Sequence, residues 1–207
     1  MIRSTALLAL LVSATVHADE KRLGDRLVRS AREVLGIRYD FGGRMRKRSN
    51  GFEGIDCQGV LFYAAERAGR CGWKSFSVYP TISVLRGELG KPVAGLDPVA
   101  AGALDPGKLQ PGDILLLVGF DENPAEPAIG MLEDQRVWVW HTGMYTGGGK
   151  WIVGDHHAGK VVEADLRAYL ATHREYAGVY VTRMTEGPAP HRCRKHAWMK
   201  RPDSKRH

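Results

Sequence analysis

The stretch Asp56-Cys57-Gln58-Gly59-Val60-Leu61-Phe62-Tyr63-Ala64-Ala65 decides the reading of this chain. A turn-forming run, Ser49-Asn50-Gly51-Phe52-Glu53-Gly54, leads into a cysteine at which an amphipathic helix begins. Cys57, Leu61, Ala64 and Ala68 recur at helical spacing, and the small residues among them permit close packing on a sheet. Cys57 then stands at a helix N-terminus. The unpaired N–H groups and the positive dipole end there favour thiolate over thiol, and a thiolate is a nucleophile for acyl transfer. A buried structural cysteine is the plainer alternative, so the rest of the chain has to decide between them.

Outward from this helix, the 207 residues suffice for one domain with its own core. Arg3, the uncharged run from Ala6 to Val16 and the end Val16-His17-Ala18 have the form of a secretory signal, with cleavage expected after Ala18. The run is too short for a stable span, so an exported protein without membrane insertion is expected, periplasmic or secreted. Without Arg3, 29 basic residues face 23 acidic ones, a net of +6. Residues 185–207 carry seven Lys or Arg, two acidic residues and three prolines, and read as a basic tail. No recognition motif accompanies that charge, so nucleic acid is not expected as a partner. The folded domain is placed at 19–184. Cys57, Cys71 and Cys193 are the cysteines. An odd count in an exported chain suggests a Cys71–Cys193 bridge with Cys57 free.

The periodicity predicts a helix over 19–35, ended by Gly36. It predicts a basic loop over Arg44–Arg48 and a short helix over 81–88. The apolar run Ile114–Val118 reads as a buried strand, and residues 121–134 as a surface excursion. Over 136–145, alternation puts Val137, Val139, His141, Gly143 and Tyr145 on one strand face. Gly147-Gly148-Gly149 turns the chain into strands over 150–155 and 160–163. A short helix over 166–173 and a strand over 177–184 follow. Helices first and an antiparallel meander after them give an α+β class.

A cysteine heading a helix and a histidine on a later strand are the two parts of a thiol-hydrolase dyad. Four motifs surround them: Tyr39-x-x-Gly42-Gly43, Gly54-x-Asp56-Cys57-x-Gly59, Leu109-Gln110-Pro111-Gly112-Asp113, and His141-Thr142-Gly143-Met144-Tyr145-x-Gly147-x-Gly149. In this order the chain resembles the NlpC/P60 family of cell-wall cysteine peptidases, from about Asp25 to Leu166. The resemblance implies a papain-like α+β fold, with N-terminal helices, one headed by the catalytic cysteine, packed on an antiparallel sheet. It implies a Cys-His-polar triad, no cofactor, and hydrolysis of amide bonds in peptidoglycan stem peptides, a D-glutamyl–diamino acid bond among them. Cys57 and His141 fall on the nucleophile and base, and Tyr39 on a tyrosine beside the site. Asp56 is kept and is expected to receive a substrate amine.

Two departures stand out. Gln58 occupies the position where the family has serine, at a place that contacts substrate. The family's third polar residue often lies twelve positions after the histidine, where this chain has Val153. A bulge at Gly154 would turn His156 toward His141, making His156 the expected orienting residue. Strict alternation would instead favour Asp155 or His157. A zinc site built from His141, Asp155, His156, His157 and Cys57 is the rival chemistry. It lacks a clamp of closely spaced ligands, and no metal is expected. A general thiol protease, an acyltransferase or thioesterase, and an inert wall-binding module are the other readings of the same residues.

Overall fold

A computed structural model describes residues 23–42, 44–48, 51–70, 77 and 79–185. The signal segment, Cys71, Cys193 and nearly all of the basic tail lie outside the described residues. Helix α1 is seen over 23–32. A hairpin of β1 (Met45–Arg48) and β2 (Gly51–Ile55) leads into α2 (Cys57–Arg67) and then α3 (Pro80–Leu85). Short strands β3 (Lys91–Pro92) and β4 (Val99–Ala100) precede β5 (Ile114–Gly119), β6 (Gly130–Leu132) and β7 (Gln135–Gly147). The chain continues through β8 (Lys150–Asp155), β9 (Lys160–Asp165), α4 (Leu166–Thr172) and β10 (Gly178–Arg183). The main sheet is eight-stranded and antiparallel, in the order β3-β10-β5-β7-β8-β9, with β4 on β10 and β6 on β7. The fold is α+β, as the order of patterns indicated.

Both faces of the sheet are covered, which is why β5 reads as an unbroken apolar run. Ile114, Leu116 and Val118 join α1 and α2 residues in one cluster. Leu115 and Leu117 join Trp151, Val153, Val181 and Tyr169 in another. Each of the five β5 side chains is fully buried, and each such burial contributes roughly 1.5–3 kcal/mol. The turn before β5 pins three elements. Gly112 has φ +92°, and neither it nor Gly24 of α1 has room for a side chain: a β-carbon on Gly112 would strike the Gly24 α-carbon, and one on Gly24 the Pro111 carbonyl. Asp113 accepts a hydrogen bond from the Gln110 N–H (2.8 Å) and pairs with Arg183 of β10 at 2.7 and 2.8 Å. The Leu-Gln-Pro-Gly-Asp motif is thus a structural clamp.

Three expectations need correction. Arg44–Arg48 is not a loop: Met45–Arg48 pairs with Gly51–Ile55 as a two-stranded hairpin. The excursion over 121–134 contains β6, hydrogen-bonded to the start of β7. The third concerns β7. Val137 and Val139 belong to the helix-side cluster, whereas Tyr145 belongs to the opposite one. The register between β5 and β7 shifts at this point: Val118 lies opposite Val139 and Leu117 opposite His141, leaving Trp140 as an extra residue. That bulge reverses the phase of everything after it, so His141, Gly143 and Tyr145 face away from Val137 and Val139.

Candidate active site

Asp56 caps α2. Its Oδ1 accepts the Gly59 N–H at 2.7 Å, and its Oδ2 pairs with the Arg44 guanidinium. The main chain adds a bond from Asp56 N to the Arg44 carbonyl (3.2 Å). A β-carbon on Gly59 would strike that same carbonyl, so the glycine two places after the cysteine lets the first helical turn close onto Arg44. Asp56 is buried and both of its oxygens are engaged, so it works as a cap and charge partner. Gln58 is buried inside the same turn, and its Oε1 has no partner among the described residues.

Cys57 begins the helix and retains some exposure. Gly154 of β8 lies against its backbone: a β-carbon there would sit 3.2 Å from Cys57 N and 3.2 Å from the Tyr39 ring. Thr142 of β7 faces the thiol. Burial pushes the Cys57 thiol up to about 11, the Asp56 charge adds to this, and the Thr142 donors and Arg44 pull it partway back. The helix terminus therefore does not yield the free thiolate expected from the dipole. Desolvation by burial is the larger effect.

His141 sits on β7 next to Thr142, nearly fully buried, with Nε2 unpartnered. Its ring lies among aromatic rings: Tyr176 at 6.0 Å, Trp151 at 6.4 Å in an edge contact, and Tyr169 at 6.5 Å. Burial lowers its pKa to about 4, against the pull of the Asp155 charge. Tyr39, Tyr169 and Tyr176 all have phenols pushed upward, mainly by burial, and each feels the Cys57 charge. Three tyrosines thus gather around the thiol, two of them also flanking the imidazole. No hydrogen bond joins Cys57 to His141 in this resting arrangement, and both groups are neutral at pH 7.

The β8–β9 register runs unbroken from Lys150 to Asp155, so the bulge expected at Gly154 is absent. Gly143 pairs with Val153 across β7 and β8. Asp155 lies two residues beyond that pair, on the same face of β8 as Val153, and its charge acts on the imidazole. Asp155 is buried, with Oδ1 accepting from the N–H groups of His157 (2.8 Å) and Ala158 (3.1 Å). His156 lies in the exposed turn after β8, its ring 6.3 Å from Tyr39 and 3.7 Å from His157. Tyr169 and Tyr176, on α4 and in the segment before β10, were not singled out from the sequence. No local motif marks them, because a packing aromatic and a cleft wall look alike in a pattern. A cavity of about 960 Å³ between α4 and the 101–106 segment includes none of these residues in its lining.

No protein-family model matches the sequence, and no curated protein does so either. Solved structures do. NlpC1 from Trichomonas vaginalis is 20% identical over 79% of this chain, with a TM-score of 0.50. NlpC2 from the same organism gives the same identity, coverage and score. The matched region spans about half of those two structures, 45% and 48% of their length. An N-acetylmuramoyl-L-alanine amidase from Bacteroides uniformis is 12% identical, with a TM-score of 0.56, over 79% of this chain and 99% of its own. The chain thus shares the fold of these NlpC proteins and of that amidase.

Proposed function

We infer that this protein is a cysteine hydrolase of amide bonds in the peptide part of bacterial cell wall, acting outside the cytoplasm. The observation that carries the reading is that Tyr169 and Tyr176, which stack beside the buried His141 imidazole with its unpartnered Nε2, also feel the charge of Cys57 at the head of α2. Cys57 is the nucleophile and His141 the base. His141 Nε2 takes the thiol proton as sulfur attacks the amide carbon, then delivers it to the leaving amine as the C–N bond breaks. Water hydrolyses the resulting thioester, His141 again accepting a proton, and the thiol is restored with a free carboxylic acid as product. Because both groups rest neutral, proton transfer accompanies attack rather than preceding it.

Asp155 is the positioning residue in this reading, in place of the expected His156. It lies just beyond the Gly143–Val153 pair that aligns β7 with β8, and it is the nearby group whose charge favours an imidazolium. Tyr39 lines the mouth. Asp56 serves the helix, and substrate amine binding passes away from it because Arg44 already holds its free oxygen. The substrate class is supported by the resemblance of the motifs and by the amidase among the similar structures. The N-terminal segment, read as a signal, and the positive charge suit a polyanionic envelope. The D-glutamyl–diamino acid linkage is the bond we assign within that class.

The test pairs the chain and its Cys57→Ala variant with tri- and tetrapeptide stems, intact sacculi and casein, with products identified by mass. Stems cut by the native chain and left whole by the variant are expected. Casein digested while every stem survives would replace this reading with a general thiol protease.

A further inference from the structure

Beside the candidate site lies a group of side chains that the hydrolytic reading leaves unused. His157 is in the turn after β8, His173 caps α4, and Glu175 follows in the turn before β10. One ligand atom from each lies within 4.8 Å of the other two. They come from two separate turns brought together by the pairing of β8 with β9 and the return of α4, so no sequence spacing announces them.

We propose that His157, His173 and Glu175 form a binding site for a divalent transition-metal ion of the zinc class. The donor set is two imidazoles and one carboxylate, which suits zinc and excludes the all-oxygen preference of calcium and magnesium. His173 is already arranged as a ligand. Its Nδ1 lies 3.0 Å from the Tyr169 carbonyl, where it can only donate, which leaves the lone pair on Nε2. Its ring is stacked on Tyr169 at 3.8 Å with 11° between planes, which fixes the direction of that lone pair. The His157 ring is 5.2 Å from that of His173, and its backbone N–H is tied to Asp155. A tetrahedral shell needs donors about 3.3 Å apart. His157 and Glu175 are exposed and can close that gap by side-chain rotation alone.

None of the three donors is Cys57, His141 or Asp155, so the ion would occupy a site of its own beside them. His173 backs Tyr169, which in turn faces His141. His156 adjoins His157 on one side and Tyr39 on the other.

Zinc binding is measured by calorimetry on the untagged full chain carrying Cys57→Ala, which removes the thiol as a competing ligand. Cobalt absorption in the visible range reports coordination geometry. His157→Ala, Glu175→Gln and His173→Ala are each added in turn. Each is expected to weaken one zinc equivalent by at least about tenfold and to remove the tetrahedral cobalt bands. His157 and Glu175 are exposed, so their variants keep the fold even if loss of the Tyr169 stack disturbs His173→Ala. Zinc binding left unchanged by His157→Ala and Glu175→Gln, or no zinc bound at millimolar concentration, overturns the proposal. Either readout is independent of whether the chain hydrolyses stems.

Discussion

A neutral thiol at the head of α2 has a measurable consequence in the pH dependence of alkylation. Burial moves Cys57 from the ordinary value of 9.0 to about 11. At pH 7 the thiolate fraction then falls from about one in a hundred to about one in ten thousand, a hundredfold loss. Nucleophilicity rises with pKa, and over two units this returns roughly six- to tenfold. Iodoacetamide should therefore modify Cys57 about 10- to 20-fold more slowly at pH 7 than an ordinary exposed thiol. The rate should climb about tenfold per pH unit from 7 toward 10. Quantifying the Cys57 peptide by mass keeps Cys71 and Cys193 out of the measurement. Asp56→Asn removes a charge that raises the thiol pKa and keeps a capping side chain, so its profile should move to lower pH. A rate plateau below pH 8 would refute the reasoning, because it requires a thiolate–imidazolium pair already formed in the resting protein.

Three further outcomes follow from the same geometry. Asp155→Asn should lower kcat by roughly two to four orders of magnitude with KM and the thermal midpoint little changed, while His156→Ala has only a small effect on kcat; steady-state kinetics on a stem peptide reads both. His141 takes up its proton near pH 4 when folded and near 6.5 when unfolded. The unfolded state therefore binds more protons between those values, and stability falls as pH drops from 6.5 toward 4, by roughly 3 kcal/mol in all. His141→Gln should flatten that slope in denaturant titrations repeated across the range. Gly143→Ala should destabilise by about 1–3 kcal/mol or more at pH 7 in the same assay, because its β-carbon would meet Trp151 Cζ3 at 2.5 Å in a filled core.

The large-scale order of the chain was legible because hydrophobic periodicity encodes it directly. The strands over 114–119, 135–147 and 150–155 and the helix from Cys57 appear where the pattern put them, within a residue or two. What periodicity cannot carry is a change of phase inside one strand. Val137-Trp138-Val139-Trp140-His141 reads as perfect alternation, yet Trp140 is bulged out and half-exposed, with its indole N–H donating to the Asp121 carbonyl at 3.1 Å. The bulge depends on the β5 partner and on a loop hydrogen bond nineteen residues away, neither of which is local. Arg44–Arg48 misled for a related reason. A strand in a two-stranded hairpin needs no apolar alternation, so its charged sequence reads as a loop.

The bulge also explains why the orienting position moved. With the phase reversed at Trp140, His141 looks into the cluster that holds Trp151, Val153 and Tyr169, not into the helix-side core. A polar residue at position 153 would then pair across the strands with Gly143, two residues from the histidine and beneath the Trp151 ring. Val153 fills that space with an apolar side chain and keeps the cluster dry. A polar partner for the imidazole is still required near the strand end, and alternation offers only residue 155 on the same face. Asp155 meets that need at lower cost than a histidine would. It ends β8, so its buried carboxylate takes two N–H bonds from the following turn. A negative group in that position favours the imidazolium formed during turnover, whereas His156 and His173 act on His141 in the opposite direction. The carboxylate and the apolar residue at 153 are thus two halves of one arrangement. Restoring a polar side chain at 153 alone, as in Val153→His, would bury an unpaired imidazole under Trp151 and should weaken the protein without improving catalysis.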